Sequence, residues 1–156
     1  MQTKQHTNPD GTTVTIYVGA NARIGAGAVI GARASIGEGA VIGEGAVIGE
    51  GTVIGEGAVI GEWAVIGEGA HIGAGAHIGA GAHIGDRASI GEWARSYAVR
   101  SDGYVFTVGK VGGVRRVFAG CRNFTLAEAR KHWGPKHKHH AETKLILALL
   151  FRKDAK

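Results

Sequence analysis

From Ile24 to Arg95 the chain repeats with a period of six. Ile opens twelve consecutive units, at positions 24, 30, 36, 42, 48, 54, 60, 66, 72, 78, 84 and 90. The fifth position of each unit is Ala in eleven cases and Thr52 in the other, and a weaker unit starts at Val18. An apolar residue every sixth position cannot keep one face of an α-helix, whose period is 3.6. In the recurring Ala-Val-Ile stretch, two-residue alternation puts Ala and Ile on one side and Val on the other. Gly after each Ile, and usually again two residues later, is expected to supply positive φ at corners. The pattern therefore predicts very short strands, each followed by a tight corner.

An aliphatic residue followed four positions later by a small one, repeated every six, resembles the hexapeptide repeat of left-handed parallel β-helix proteins. The resemblance implies three strands and three corners per 18-residue coil, hence about four coils stacked at about 4.8 Å. The expected fold class is mainly β: a left-handed parallel β-helix with a small C-terminal α/β cap. The division is an N-terminal cap over 1–17, the hexapeptide-repeat body over 18–95 and a basic module over 96–156. Repeat arrays need both open ends covered. Thr12–Val18 reads as one cover and the basic module as the other.

After Tyr97 the period vanishes. Two strands, about 104–109 and 114–119, are joined by a Gly-containing turn. Thr125 and Glu128 stand in capping-box spacing before a short helix that stops at Gly134-Pro135. Residues 136–143 read as a polar linker. A second helix follows over about 141–152, with Leu145, Ile146, Leu149 and Leu150 on one stripe. This module resembles segments that follow hexapeptide repeats in uncharacterised bacterial and phage proteins, which implies no activity.

Composition narrows the class. Of 156 residues 28 are Gly and 10 are aromatic, too few aromatics for an ordinary helical core. One Cys excludes an intrachain disulfide framework. No apolar run approaches the roughly 18 residues of a membrane span. The first residues show no secretion signal, so the expected location is cytoplasmic with no membrane partner. Residues 1–94 carry four Lys+Arg against nine Asp+Glu, whereas residues 95–156 carry fourteen against four. An acidic rod is thus joined to a basic module.

The outward residue before each Ile varies, and a spacing of 18 sorts these residues into three columns. One reads Arg23, Val41, Val59, His77, Arg95; another Val29, Val47, Val65, His83; the third Ser35, Val53, His71, Ser89. The unbroken Val29, Val47, Val65 column is an apolar strip of the kind that marks an interface. The resemblance implies a homotrimer packed through such faces; the plain alternative is β-propensity alone. His71, His77 and His83 look like a metal set. A spacing of six sends them from three different sides, so they do not converge on one zinc at about 2.0–2.1 Å. The resemblance brings in zinc through carbonic anhydrases that hold metal between subunits. It brings in CoA through acyltransferases whose catalytic His acts as general base. For either chemistry the candidates are His71, His77 and His83 at a subunit cleft. No loop interrupts the repeats between Ile24 and Ile90 to shape a pocket, and no cofactor is expected.

Stacked carboxylates at Glu38, Glu56 and Glu92, at Glu44 and Glu62, and at Glu50, Glu68 and Asp86 read as a solvated acidic surface. Trp63, Trp93, Arg33 and Arg87 replace corner glycines, and the two tryptophans are candidates for stacking on a ligand. Arg115, Arg116, Arg122, Arg130 and Lys131 lead a basic cluster, with Lys136, Lys138 and Lys144, that attracts phosphate-bearing ligands. No nucleic-acid motif accompanies it, so nucleic acid is not the expected partner. Cys121 reads as a small buried residue, and His137, His139 and His140 as opportunistic metal binders. The combined expectation is a non-enzymatic trimeric binding or scaffold protein. It would hold an anionic small molecule, for instance a signalling nucleotide sequestered by a phage-type protein, or a protein partner. The anion would meet the basic cluster together with His83, Trp63 and Trp93. The alternatives are an acyltransferase with an inter-subunit His, an inter-subunit zinc site of carbonic anhydrase type, and a consensus rod with no ligand.

Overall fold

The structure is a computed structural model that describes residues 1–91, 97–102, 105–111, 113–119 and 122–151. Trp93, Arg95 and Cys121 lie outside them. The chain opens with an antiparallel hairpin, β1 (Gln2–Thr7) and β2 (Thr13–Val18). The first coil holds β3 (Arg23–Ile24), β4 (Val29–Ile30) and β5 (Ser35–Ile36). The second holds β6 (Val41–Ile42), β7 (Val47–Ile48) and β8 (Val53–Ile54). The third holds β9 (Val59–Ile60), β10 (Val65–Ile66) and β11 (His71–Ile72). The fourth holds β12 (His77–Ile78), β13 (His83–Ile84) and β14 (Ser89–Ile90). The C-terminal module comprises β15 (Tyr97–Val99), β16 (Val105–Val111), β17 (Val114–Ala119), β18 (Arg122–Phe124), α1 (Leu126–His132) and α2 (His140–Leu150).

Each strand pairs in parallel with the strand 18 residues on, so the coils form three flat walls. The walls run β3-β6-β9-β12, β4-β7-β10-β13 and β5-β8-β11-β14. Ile stacks on Ile inside, and the fifth-position Ala residues from Ala28 to Ala88 are also buried. Thr52, the one exception, is fully buried and its hydroxyl donates to the Gly67 carbonyl at 3.0 Å. That bond satisfies the hydroxyl, whose unpartnered burial would cost about 1–3 kcal/mol.

Where a unit carries two glycines, they have different causes. The second sits at positive φ, as at Gly39 and Gly45 (63°), which L side chains adopt at a cost. The glycine after Ile is not left-handed, which corrects the expectation from sequence. Its neighbour explains it: a Cβ on Gly37 would lie 2.5 Å from the backbone nitrogen of Glu56 in the next coil. Close backbone approach, not φ, demands that residue.

Both ends of the solenoid are covered. β2 pairs with β5 at the N-terminal end, and the sequence reading missed its partner β1. The signal for β1 was present, since Asn8-Pro9-Asp10-Gly11 is a turn sequence between alternating segments. At the other end β16 pairs with β14 through Ser89 and Lys110. Phe118 of β17 inserts among the solenoid's Ile and Ala side chains as the last layer of that core. A second core joins Phe106, Val117, Ala129, Trp133, Ile146, Leu147 and Leu150.

The expected capping box holds. Thr125 Oγ1 accepts from Glu128 N at 3.2 Å, and Glu128 accepts from Thr125 N at 2.7 Å. The second helix departs from expectation. It starts at His140, inside the expected linker, and buries Thr143, Ile146, Leu147 and Leu150. Leu145 and Leu149 are 72% and 63% exposed. Thr143 was passed over as polar, yet it completes the i, i+3, i+4, i+7 stripe. Arg100 donates to its hydroxyl at 3.2 Å, which makes its burial tolerable.

Candidate functional site

The three wall histidines stand on three walls. His71 lies between Val53 and Ser89, His77 beside Val59, and His83 beside Val65. None of their imidazoles makes a hydrogen bond or ion pair with the described residues. A catalytic base is normally held and oriented by a third group, and these imidazoles have none among the described residues. Nor does the set suit zinc within one chain, because three separate walls cannot supply one coordination sphere. Among the described residues no three His, Cys, Asp or Glu side chains are grouped to hold a metal.

The walls are otherwise smooth. Val29 and Val47 are each 37% exposed and Val65 is half-buried in one column. Trp63 occupies the corner between β9 and β10 at φ 56°, a left-handed conformation that costs a bulky residue about 1–2 kcal/mol. Its ring covers Gly45 in the preceding coil, where a Cβ would come within 2.4 Å of it, and the residue is 63% exposed. Arg33 and Arg87 also take positive φ; Arg33 forms an exposed ion pair with Glu50.

The basic cluster divides. Arg115 donates to the Leu150 carbonyl at 2.7 Å and lies over the Phe151 ring, so it fastens the end of α2. Arg116 donates to Asn123 and Glu128, so it braces β17 against β18 and the start of α1. Arg122, Arg130 and Lys131 are exposed, and their side chains make no hydrogen bond or ion pair with the described residues. Arg130 borders a cavity of about 420 Å³ between the helices, together with Trp133, Pro135, His140, Lys144, Leu147 and Ala148. The sequence places Lys144 in the phosphate-attracting basic cluster and His140 among the opportunistic metal binders, but their position beside Arg130 depends on how the helices fold together.

The same module holds a group of ionisable side chains outside the cavity lining. Arg100 is 5% exposed and forks onto Asp102 with two bonds of 2.8 Å. His139 Nε2 is 3.2 Å from the same carboxylate. His137 Nδ1 accepts from the backbone N–H of His139 at 3.2 Å, which requires that nitrogen to be unprotonated. Desolvation, then the cations of Arg100 and its neighbours, holds His137 below the usual histidine range.

A second cavity, of about 540 Å³, opens at the N-terminal end between the hairpin and the first coil, lined by Lys4, His6, Ile24 and Gly25 among others. No described helix is long and apolar enough to cross a membrane.

The family model described as bacterial transferase hexapeptide (six repeats) matches residues 15–50, 33–67 and 64–95. No curated protein matches the chain. Among solved structures, a single-site mutant of perosamine N-acetyltransferase from Caulobacter crescentus, in complex with CoA and GDP-perosamine, is 28% identical. The match covers 50% of this chain and 43% of that one, with a TM-score of 0.24.

Proposed function

The chain belongs to the bacterial transferase hexapeptide family, its repeats accounting for residues 15–95, and from that premise we propose that it works as a trimeric binding protein rather than as a transferase. Fold alone does not fix activity; the site must. The observation that carries this reading is the state of His71, His77 and His83: separate walls, no orienting partner among the described residues, and no loop between Ile24 and Ile90 to build a pocket around them. Three copies pack through the Val29, Val47 and Val65 wall, and the basic modules hold an anionic small molecule such as a nucleotide. The exposed Arg130, which has no acidic partner among the described residues, supports an anion there. The test is a thermal melt with a panel of nucleotides alongside an assay for consumption of acetyl-CoA. The reading expects a rise in Tm without turnover.

Family membership favours a second reading, an acyltransferase in which a wall histidine meets its acceptor only between subunits. A CoA pantetheine arm would need a groove there, since the straight walls of one chain offer none. Acetyl transfer lost in His71→Ala, His77→Ala or His83→Ala would establish this reading and defeat the first.

A further inference from the structure

We infer that the 420 Å³ cavity between α1 and α2 is the anion site, and that its ligand is amphipathic: a flat apolar body of about naphthyl or nucleobase size bearing a phosphate. This inference deepens the proposed binding function and rests on it. His140, Lys144, Leu147 and Ala148 fall at i, i+4, i+7 and i+8 of α2, one face of the helix. Arg130 approaches from α1, and Trp133 closes the end between the helices. The lining is therefore divided by chemistry. Trp133, Leu147 and Ala148 give an apolar wall; Arg130, Lys144 and His140 give two permanent cations and one titratable ring.

Among the described residues no carboxylate lines the cavity and neither Arg130 nor Lys144 is neutralised by a partner. The apolar wall is fixed in advance. Trp133 is 4% exposed and its indole meets Phe106, Phe124 and His132 edge-on at 5.2, 5.0 and 4.8 Å. The His140 ring is set by a 2.8 Å hydrogen bond from Nδ1 to the Trp133 carbonyl, leaving Nε2 as its other polar atom. Preorganisation of this kind lowers the entropy lost on binding. A bare phosphate would use the cations and waste the apolar wall. An uncharged aromatic would use the wall and leave the cations unpaired. Only a molecule with both parts engages the whole lining, in line with pockets where a few polar groups orient an apolar ligand.

The experiment titrates the full-length assembled protein with 1-naphthyl phosphate, 1-naphthol and inorganic phosphate by calorimetry. The expected result is that 1-naphthyl phosphate binds at least ten-fold tighter than either fragment. Arg130→Ala and Lys144→Gln should each weaken it about ten-fold. Ala148→Phe, which fills the cavity from its exposed edge, should abolish binding. Arg122→Ala and Lys131→Ala, cations outside the lining, should stay within two-fold of wild type. Lys144 is exposed, so its substitution reads binding even where Ala148→Phe perturbs folding. Equal affinity for inorganic phosphate, or equal loss in Arg122→Ala and Lys131→Ala, overturns the cavity as the site and leaves a diffuse anion-binding surface. Absence of binding by 1-naphthyl phosphate, phosphate and nucleotides alike overturns both this inference and the function it rests on.

Discussion

The Asn8 side chain bonds both backbone polar groups of Ile30: Oδ1 accepts from its N–H at 2.8 Å and Nδ2 donates to its C=O at 3.1 Å. A carboxamide here replaces the strand that a preceding coil would have provided. β4 is the edge of its wall, and an unpaired edge invites pairing with another chain. Asn8 is 6% exposed, so water does not substitute readily for it. Asn8→Ala should destabilise the protein by about 1–3 kcal/mol, read as a lower midpoint of chemical denaturation. Asn8→Asp keeps an acceptor and loses the donor, so it should fall in between. An unchanged midpoint in Asn8→Ala would show the cap to be dispensable.

The two kinds of corner glycine predict two sizes of effect. Gly39→Ala meets no atom within 4 Å and adds only the left-handed penalty, about 1 kcal/mol. Gly37→Ala drives a Cβ into the backbone of the next coil, which cannot rotate away. Its cost should exceed that of Gly39→Ala by at least about 2 kcal/mol. Equal melting temperatures for the two variants would contradict this assignment.

Trp63 predicts a separation of folding from assembly. Trp63→Gly removes an aromatic side chain from positive φ and should leave the protomer as stable or up to about 1 kcal/mol more so. A large, exposed, strained tryptophan beside two Val-bearing walls has the character of an interface anchor. The same variant should therefore weaken trimer formation, measured by analytical ultracentrifugation across protein concentrations. Unaltered association would remove Trp63 from the interface.

Acid should loosen the C-terminal module first. His137 has a folded pKa below its ordinary value of about 6.5, so between those two values the unfolded chain binds more protons. Stability is then fully present above about pH 6.5 and declines as pH falls towards the folded pKa. Glu128 acts in the same direction at lower pH. Its pKa is depressed chiefly by the Thr125 backbone N–H, so its contribution is present above the ordinary carboxylate range and lost as pH falls through the folded value. His137→Gln should flatten the first decline, and Glu128→Gln the second. The check is hydrogen exchange of α1 and α2 against pH.

The solenoid could be read from sequence because its physics is local and periodic. Every Ile and every Ala repeats the same environment, so one unit explains twelve. Thr125 and Glu128 were legible for a similar reason, since a capping box spans four residues. What escaped was non-local. Asn8 gains its meaning only from Ile30, 22 residues on. Thr143 is buried only because Arg100 reaches it. The cavity brings Arg130 against Lys144 through a turn whose path no periodicity dictates. The glycine after each Ile was assigned to the wrong cause because φ is a property of one residue and close approach a property of two coils.

Native mass spectrometry of the purified chain, with and without 1-naphthyl phosphate, tests the central claim most directly. The account predicts an assembly of three 16.1 kDa chains that takes up as many as three ligand molecules, and a monomer when Val47 is replaced by Glu. A wild-type monomer that binds no anion would contradict it.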